Sequence, residues 1–122
     1  MSKYDFYIAQ LRFVVNRTER ESEEVACMMD ALGAIIDALE GGDENFFVPA
    51  FRLRSTARAL AGVAGFMQQH ILPEVVAAQN GVGEKQVRWT IETCMTWMAN
   101  LMTHAELTKD ADGLTLSLPP LD

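Results

Sequence analysis

Residues 83–107, GEKQVRWTIETCMTWMANLMTHAEL, hold the densest helical pattern of the chain, and their reading decides the fold. Val87, Ile91, Cys94, Met98, Leu101 and Ala105 recur at steps of three and four, which places them on one seam of an α-helix. Ile91, Met95, Met98 and Met102 form a second seam beside it. An apolar face this wide exceeds what one neighbour covers, so the helix is expected to be packed on two sides.

Two further helices are expected upstream. The first runs from about Glu19 to Glu40, with Val25, Met28, Met29, Leu32, Ile35, Ile36 and Leu39 in register; Thr18 and Glu21 read as a capping box, and Gly41-Gly42 ends it. The second begins near Val48, because Pro49 suits a first helical turn, and Asp43 to Phe47 is left as a turn. Its core positions are Leu53, Ala57, Leu60, Ala64, Met67 and Ile71, beside a row of small residues, Ser55, Ala59 and Gly62, that would admit a close backbone. Pro73 is expected to kink or break this helix, and Asn80-Gly81 to end it with positive φ at the glycine.

The ends carry weaker patterns. Tyr4, Ile8, Leu11 and Val15 fit a short helix, whereas Tyr4, Phe6 and Ile8 with Phe13 and Val15 fit strand alternation; helix is the reading adopted. Leu114, Leu116 and Leu118 alternate with Thr115 and Ser117 after an Asp112-Gly113 turn, which reads as an extended tail. The expected protein is therefore all-α: an antiparallel bundle of three long helices plus a short N-terminal one, with residues 1–112 as a single helical domain and 113–122 as the tail.

The chain has 122 residues, 49% of them hydrophobic and 22% charged, which excludes a disordered linker and fits one core. A net charge of −7 argues against nucleic-acid binding, since that affinity rests on cations displacing counterions. No run of about 18 apolar residues is present to cross a bilayer, and MSKYDFYIAQ lacks a signal-peptide layout, so a cytoplasmic protein is expected. Cys27 and Cys94 lie far apart and read as free thiols.

The charge is unevenly placed. Residues 19–44 carry nine acids against Arg20 alone, whereas residues 45–73 carry Arg52, Arg54 and Arg58 and no acid. Complementary flanks on neighbouring helices account for this pattern; the alternative is that Arg52, Arg54 and Arg58 form a docking patch for an acidic partner. Arg54 and Arg58, one turn apart, are placed to grip a carboxylate or phosphate together.

Catalytic and metal chemistry find little here. His70 and His104 are isolated, no Glu-x-x-His pair is present, and neither cysteine has a base nearby in sequence, so no catalytic residue, cofactor or metal is expected. The stretch Arg52–Gly65 resembles the phosphoacceptor helix of histidine phosphotransfer domains in its small residues, but holds no histidine, which removes that chemistry.

Surface recognition is what remains. Six methionines sit on the three helices, and Trp89 and Trp97 lie on opposite flanks of the core seam in this reading. Trp89, Met95, Trp97 and Met102, with Leu114, Leu116 and Leu118 of the tail, form the candidate protein interface. A homodimer is expected, the third helix central and the tail laid across the partner. The build is similar in class to small acidic helical anti-activators that bind bacterial transcriptional regulators. That similarity implies a non-catalytic regulator that blocks or sequesters a partner protein; the alternative is a sensor or carrier holding an apolar small molecule between the helices.

Overall fold

The N-terminal segment is a helix, α1, Asp5–Arg17, with Tyr7, Ile8, Leu11 and Val14 buried at helical spacing. The structure is a computed structural model that describes residues 4–107 and 112–119, so residues 120–122 of the expected tail lie outside the described residues. Thr18 closes α1: its backbone N–H and its hydroxyl both donate to the Val14 carbonyl, at 3.1 and 2.7 Å. It is therefore not the cap of the next helix. That helix, α2, Glu23–Glu40, is capped by Ser22, whose extended backbone lets its hydroxyl accept from the Val25 N–H at 3.2 Å. The expected capping box of Thr18 and Glu21 is corrected accordingly.

At its other end α2 stops in a Schellman turn, with Gly42 at φ +91°, its N–H donating to Leu39 and that of Asp43 to Ala38. The next residues depart from the expected turn. Asn45–Pro49 form a strand, β1, a single 3₁₀ turn follows at Ala50–Arg52, and helix α3 starts only at Leu53 and runs to Phe66. The partner of β1 is the tail, since Gly113–Ser117 form an antiparallel strand, β2, with Phe46 opposite Leu116 and Val48 opposite Leu114. Pro49 sits at a strand end opposite Gly113, and the pair bonded next in the ladder is Ala50 N–H to Asp112 carbonyl at 2.9 Å. The missing N–H of Pro49 therefore removes no bond between the strands. The protein is mostly helical, as expected, with a helix at its N-terminus; the extended tail is the second strand of a two-stranded sheet, which the expectation of a bundle with a separate tail lacked.

Pro73 acts on the helix as expected, and the mechanism is visible. Met67–Ile71 form one π-helical turn, Leu72 N–H reaching back to Met67, before a short helix α4, Leu72–Ala77, takes Pro73 into its first turn. The stop comes earlier than expected. Gln79, at φ +56°, takes the left-handed position of a second Schellman turn, in which its N–H donates to Val76 and that of Asn80 to Val75. Asn80 then caps the next helix, its Oδ1 accepting from Gly83 N–H at 2.9 Å, so Gly81 opens α5, Gly81–Leu107, instead of ending its predecessor.

Leu53, Ala57, Leu60, Ala64 and Met67 are buried, as their spacing implies, and with Leu32, Ile35 and Leu101 they make the centre of the core. Of the small-residue row Ala59 is buried, whereas Gly62 faces open space, a Cβ there meeting nothing within 4 Å. α5 is rotated from its expected pose: Val87, Thr90, Thr93, Cys94, Trp97 and Leu101 are buried, while Ile91, Met98 and Met102 are half-buried against the core. Thr90 enters the interior because its hydroxyl donates to the Gln86 carbonyl at 3.0 Å. Complementary charge between α2 and α3 is realised by the ion pair of Glu24 with Arg58, and Arg12 pairs with Glu40 to join α1 to α2. Among the described residues no helix is long and apolar enough to cross a membrane.

Candidate functional site

One face of α5 looks across a groove to β2. Trp89, Thr93, Thr96, Trp97, Asn100, His104 and Leu107 recur on that face, and with β2 they border a groove of about 720 Å³. This is within the size range of ligand and peptide sites, roughly 300–1,000 Å³. β2 is tied to α5 beside the groove by one hydrogen bond, in which the Trp97 indole N–H donates to the Ser117 carbonyl at 3.0 Å.

The aromatic end is built by α1. Tyr4 stacks on Trp89 with ring centroids 5.7 Å apart, and Phe6 and Tyr7 meet the same indole edge-on, each at 5.4 Å. Tyr7 also meets Trp97 edge-on at 6.1 Å. The two tryptophans thus share one face and one neighbour, which corrects their expected placement on opposite flanks. Beneath them Tyr7 Oη lies 3.9 Å from Cys94 Sγ, both buried. Burial pushes the Cys94 thiol up to about 12, with the Tyr7 contact pulling the other way, and burial likewise raises the Tyr7 hydroxyl well above its ordinary value. Cys94 is therefore a thiol and not a thiolate near neutral pH.

Trp89 Nε1 and Thr93 Oγ1 are buried with no hydrogen-bond partner among the described residues, shut off from the open groove. Such groups are uncommon in folded proteins, and each costs about 1–3 kcal/mol. Glu92, exposed at the rim, has no ion-pair partner among the described residues. The arrangement offers aromatic faces, neutral hydrogen-bonding groups and one carboxylate. Among the described residues no group of three or more His, Cys, Asp or Glu is arranged to hold a metal ion.

Of the candidate interface residues, Trp89, Trp97, Leu114 and Leu116 come together around this groove. Trp97, Leu116 and Leu118 are 2%, 2% and 9% exposed, so they belong to the interior of the protomer and present no surface, and the tail is held in its own sheet instead of reaching across a partner. Met95 lies apart at 46% exposure, and Met102 packs half-buried on the core. The arginine patch is divided. Arg58 is engaged by Glu24, Arg52 lies over the Phe51 ring with its guanidinium carbon 5.5 Å from the centroid, and Arg54 is exposed with no ion-pair partner among the described residues. Phe51 itself is 81% exposed.

Sequence reasoning missed Thr96, Asn100 and Thr103 as site residues. Their signal is a polar stripe at steps of four and three between the tryptophans and Leu107, which hydropathy reads only as solvated surface. No family model, no curated protein and no solved structure matches this chain.

Proposed function

We propose that the protein is a non-catalytic protein-binding module, a small cytoplasmic regulator that blocks or sequesters a partner by taking a segment of it into the groove between α5 and β2. A transcriptional regulator is the kind of partner that an anti-activator of this build engages. The observation that carries the reading is the groove itself: the half-buried Trp89 indole and a stripe of exposed neutral polar side chains, Thr96, Asn100 and Thr103, facing β2 across about 720 Å³. Aromatic and amide groups of this kind supply adaptable contacts at low entropic cost.

The test is to fill the groove. Asn100→Trp occupies it from an exposed position, whereas Met95→Glu alters α5 away from it. A partner captured from native lysate by the unaltered protein and by Met95→Glu, but lost with Asn100→Trp, supports the reading; equal capture by all three sinks it. The volume also suits a small molecule, and a ligand of defined mass carried through native mass spectrometry, displaced by Asn100→Trp, would favour a carrier instead. Self-association is a separate part of the proposal: Met95 is an exposed apolar side chain on α5 that a two-fold dimer would cover, and sedimentation at tens of micromolar decides it.

A further inference from the structure

The groove has a wall of backbone whose hydrogen-bonding pattern is fixed by the ladder. Directly opposed residues of antiparallel strands alternate between pairs that exchange both backbone bonds and pairs that exchange none. Leu118 N–H donates to the Glu44 carbonyl and Ala50 N–H to that of Asp112, in the same register that sets Leu116 opposite Phe46 and Leu114 opposite Val48. The bonded pairs are therefore those of Leu114 and Leu116. Thr115 and Ser117 fall at the alternate positions, so their N–H and C=O groups point off the far edge of β2. The Trp97 indole bond to the Ser117 carbonyl confirms that this edge faces α5. It occupies that carbonyl alone; both backbone groups of Thr115 and the N–H of Ser117 have no partner among the described residues.

The two edges of the sheet are unequal. On the outer edge of β1 the same alternation points Pro49 outward, and a proline offers no N–H, which blunts that edge against pairing. The edge of β2 carries no such block: it opens onto the groove at Thr115 and is met by the Trp97 indole at Ser117. Along α5 the groove runs from Trp89 to Leu107, about 27 Å at the helical rise, while the five residues of β2 set the length of chain that can pair with it. The rim carboxylate of Glu92, with no ion-pair partner among the described residues of a chain of net charge −7, favours a cation in what enters.

We infer that the groove takes its partner as an extended strand added to the free edge of β2, with a lysine or arginine of that strand set against Glu92. This rests on the groove-binding reading above and specifies the partner's conformation and charge. Strand addition draws affinity from main-chain bonds and selectivity from alternate side chains, here received between Leu114 and the Trp89 indole.

The probes are a synthetic octapeptide of alternating valine and threonine carrying two lysines, its version with glutamate for lysine, and its version N-methylated at alternate residues. Binding is read from tryptophan emission and from amide exchange at Thr115 and Ser117. The expected result is saturable binding of the lysine peptide, at least tenfold weaker for the other two, with both amides slowed at least tenfold in the complex. Thr115→Pro removes an N–H that β1 does not use, so it is expected to keep the helical circular dichroism and to lose peptide binding. Should that variant fail to fold, exchange in the unaltered chain carries the test alone. Equal binding of the N-methylated peptide, or no protection of the two amides, overturns strand addition while leaving groove docking in place. Absence of binding by every peptide also overturns it, and partner capture that survives Asn100→Trp removes the groove-binding reading with it.

Discussion

The Trp97 indole N–H and the Ser117 carbonyl, 3.0 Å apart, join the longest helix to the strand that follows it. Trp97 is 2% exposed and Ser117 lies at the surface, so this partly buried bond sets the spacing of α5 and β2 where it forms. Trp97→Phe keeps an aromatic ring but removes the donor and part of the buried indole. A loss of about 2–3 kcal/mol in urea unfolding is expected, with faster amide exchange along β2 and little change in α2. Unchanged exchange in β2 would show that the sheet holds its position without the indole.

Gln79 and Gly113 make opposite demands on the backbone. Gln79 holds φ +56° at the end of α4, a conformation that costs a side-chain-bearing residue about 1 kcal/mol, so Gln79→Gly is expected to be neutral or stabilising in thermal unfolding. At Gly113 a Cβ would lie 2.2 Å from the Val48 carbonyl oxygen. Gly113→Ala therefore forces β1 and β2 apart, with an expected cost of about 2 kcal/mol or more and faster exchange at Leu114 and Leu116.

Ser22 and Thr18 separate two capping schemes. Ser22→Ala removes the hydroxyl that accepts from Val25 and is expected to cost about 1 kcal/mol. Glu21→Gln is expected to leave the denaturation midpoint unchanged, because no capping box involves it. A larger effect at Glu21 than at Ser22 would restore the box that the spacing first implied.

Cys27 and Cys94 should part company towards a thiol reagent. Cys27 is exposed and Cys94 is buried with its thiol at about 12, so at pH 8 one equivalent is expected to react quickly and the second only at the rate of unfolding. The same groups set the alkaline limit. Cys94 and Tyr7 keep their protons to higher pH when folded than when unfolded, so the unfolded chain releases protons first and stability falls as pH rises above about 9. The slope is roughly 1 kcal/mol per pH unit for each group, and Cys94→Ala should make it shallower. A melting temperature that is flat from pH 8 to 11 would contradict this.

What the chain discloses of its fold depends on how local the cause is. Leu32, Ile35 and Leu39, or Leu53, Leu60 and Met67, repeat because one helix face meets one core, and that repetition is written in adjacent turns. The buried stripe of α5 was harder to read. Thr90 hides its hydroxyl on Gln86, and Trp97 finds its acceptor twenty residues away, so residues that look polar or amphipathic lie inside while Met95 lies out. β1 is illegible on its own, because Phe46 and Val48 become a strand only with Leu116 and Leu114 opposite them. The groove inherits that difficulty: both indoles were visible as anchors, but the wall facing them comes from a pairing that no short window contains.

The pairing of Pro49 with Gly113 spans residues 50–112, which include three of the helices. A contact of such sequence separation forms late, after the local helices and their packing have shortened the distance to be closed. A chain cut before β2 would have both indoles and the α1 rings packed on them but no opposing wall. Closure of the groove thus waits on the pairing of two strands that lie more than sixty residues apart.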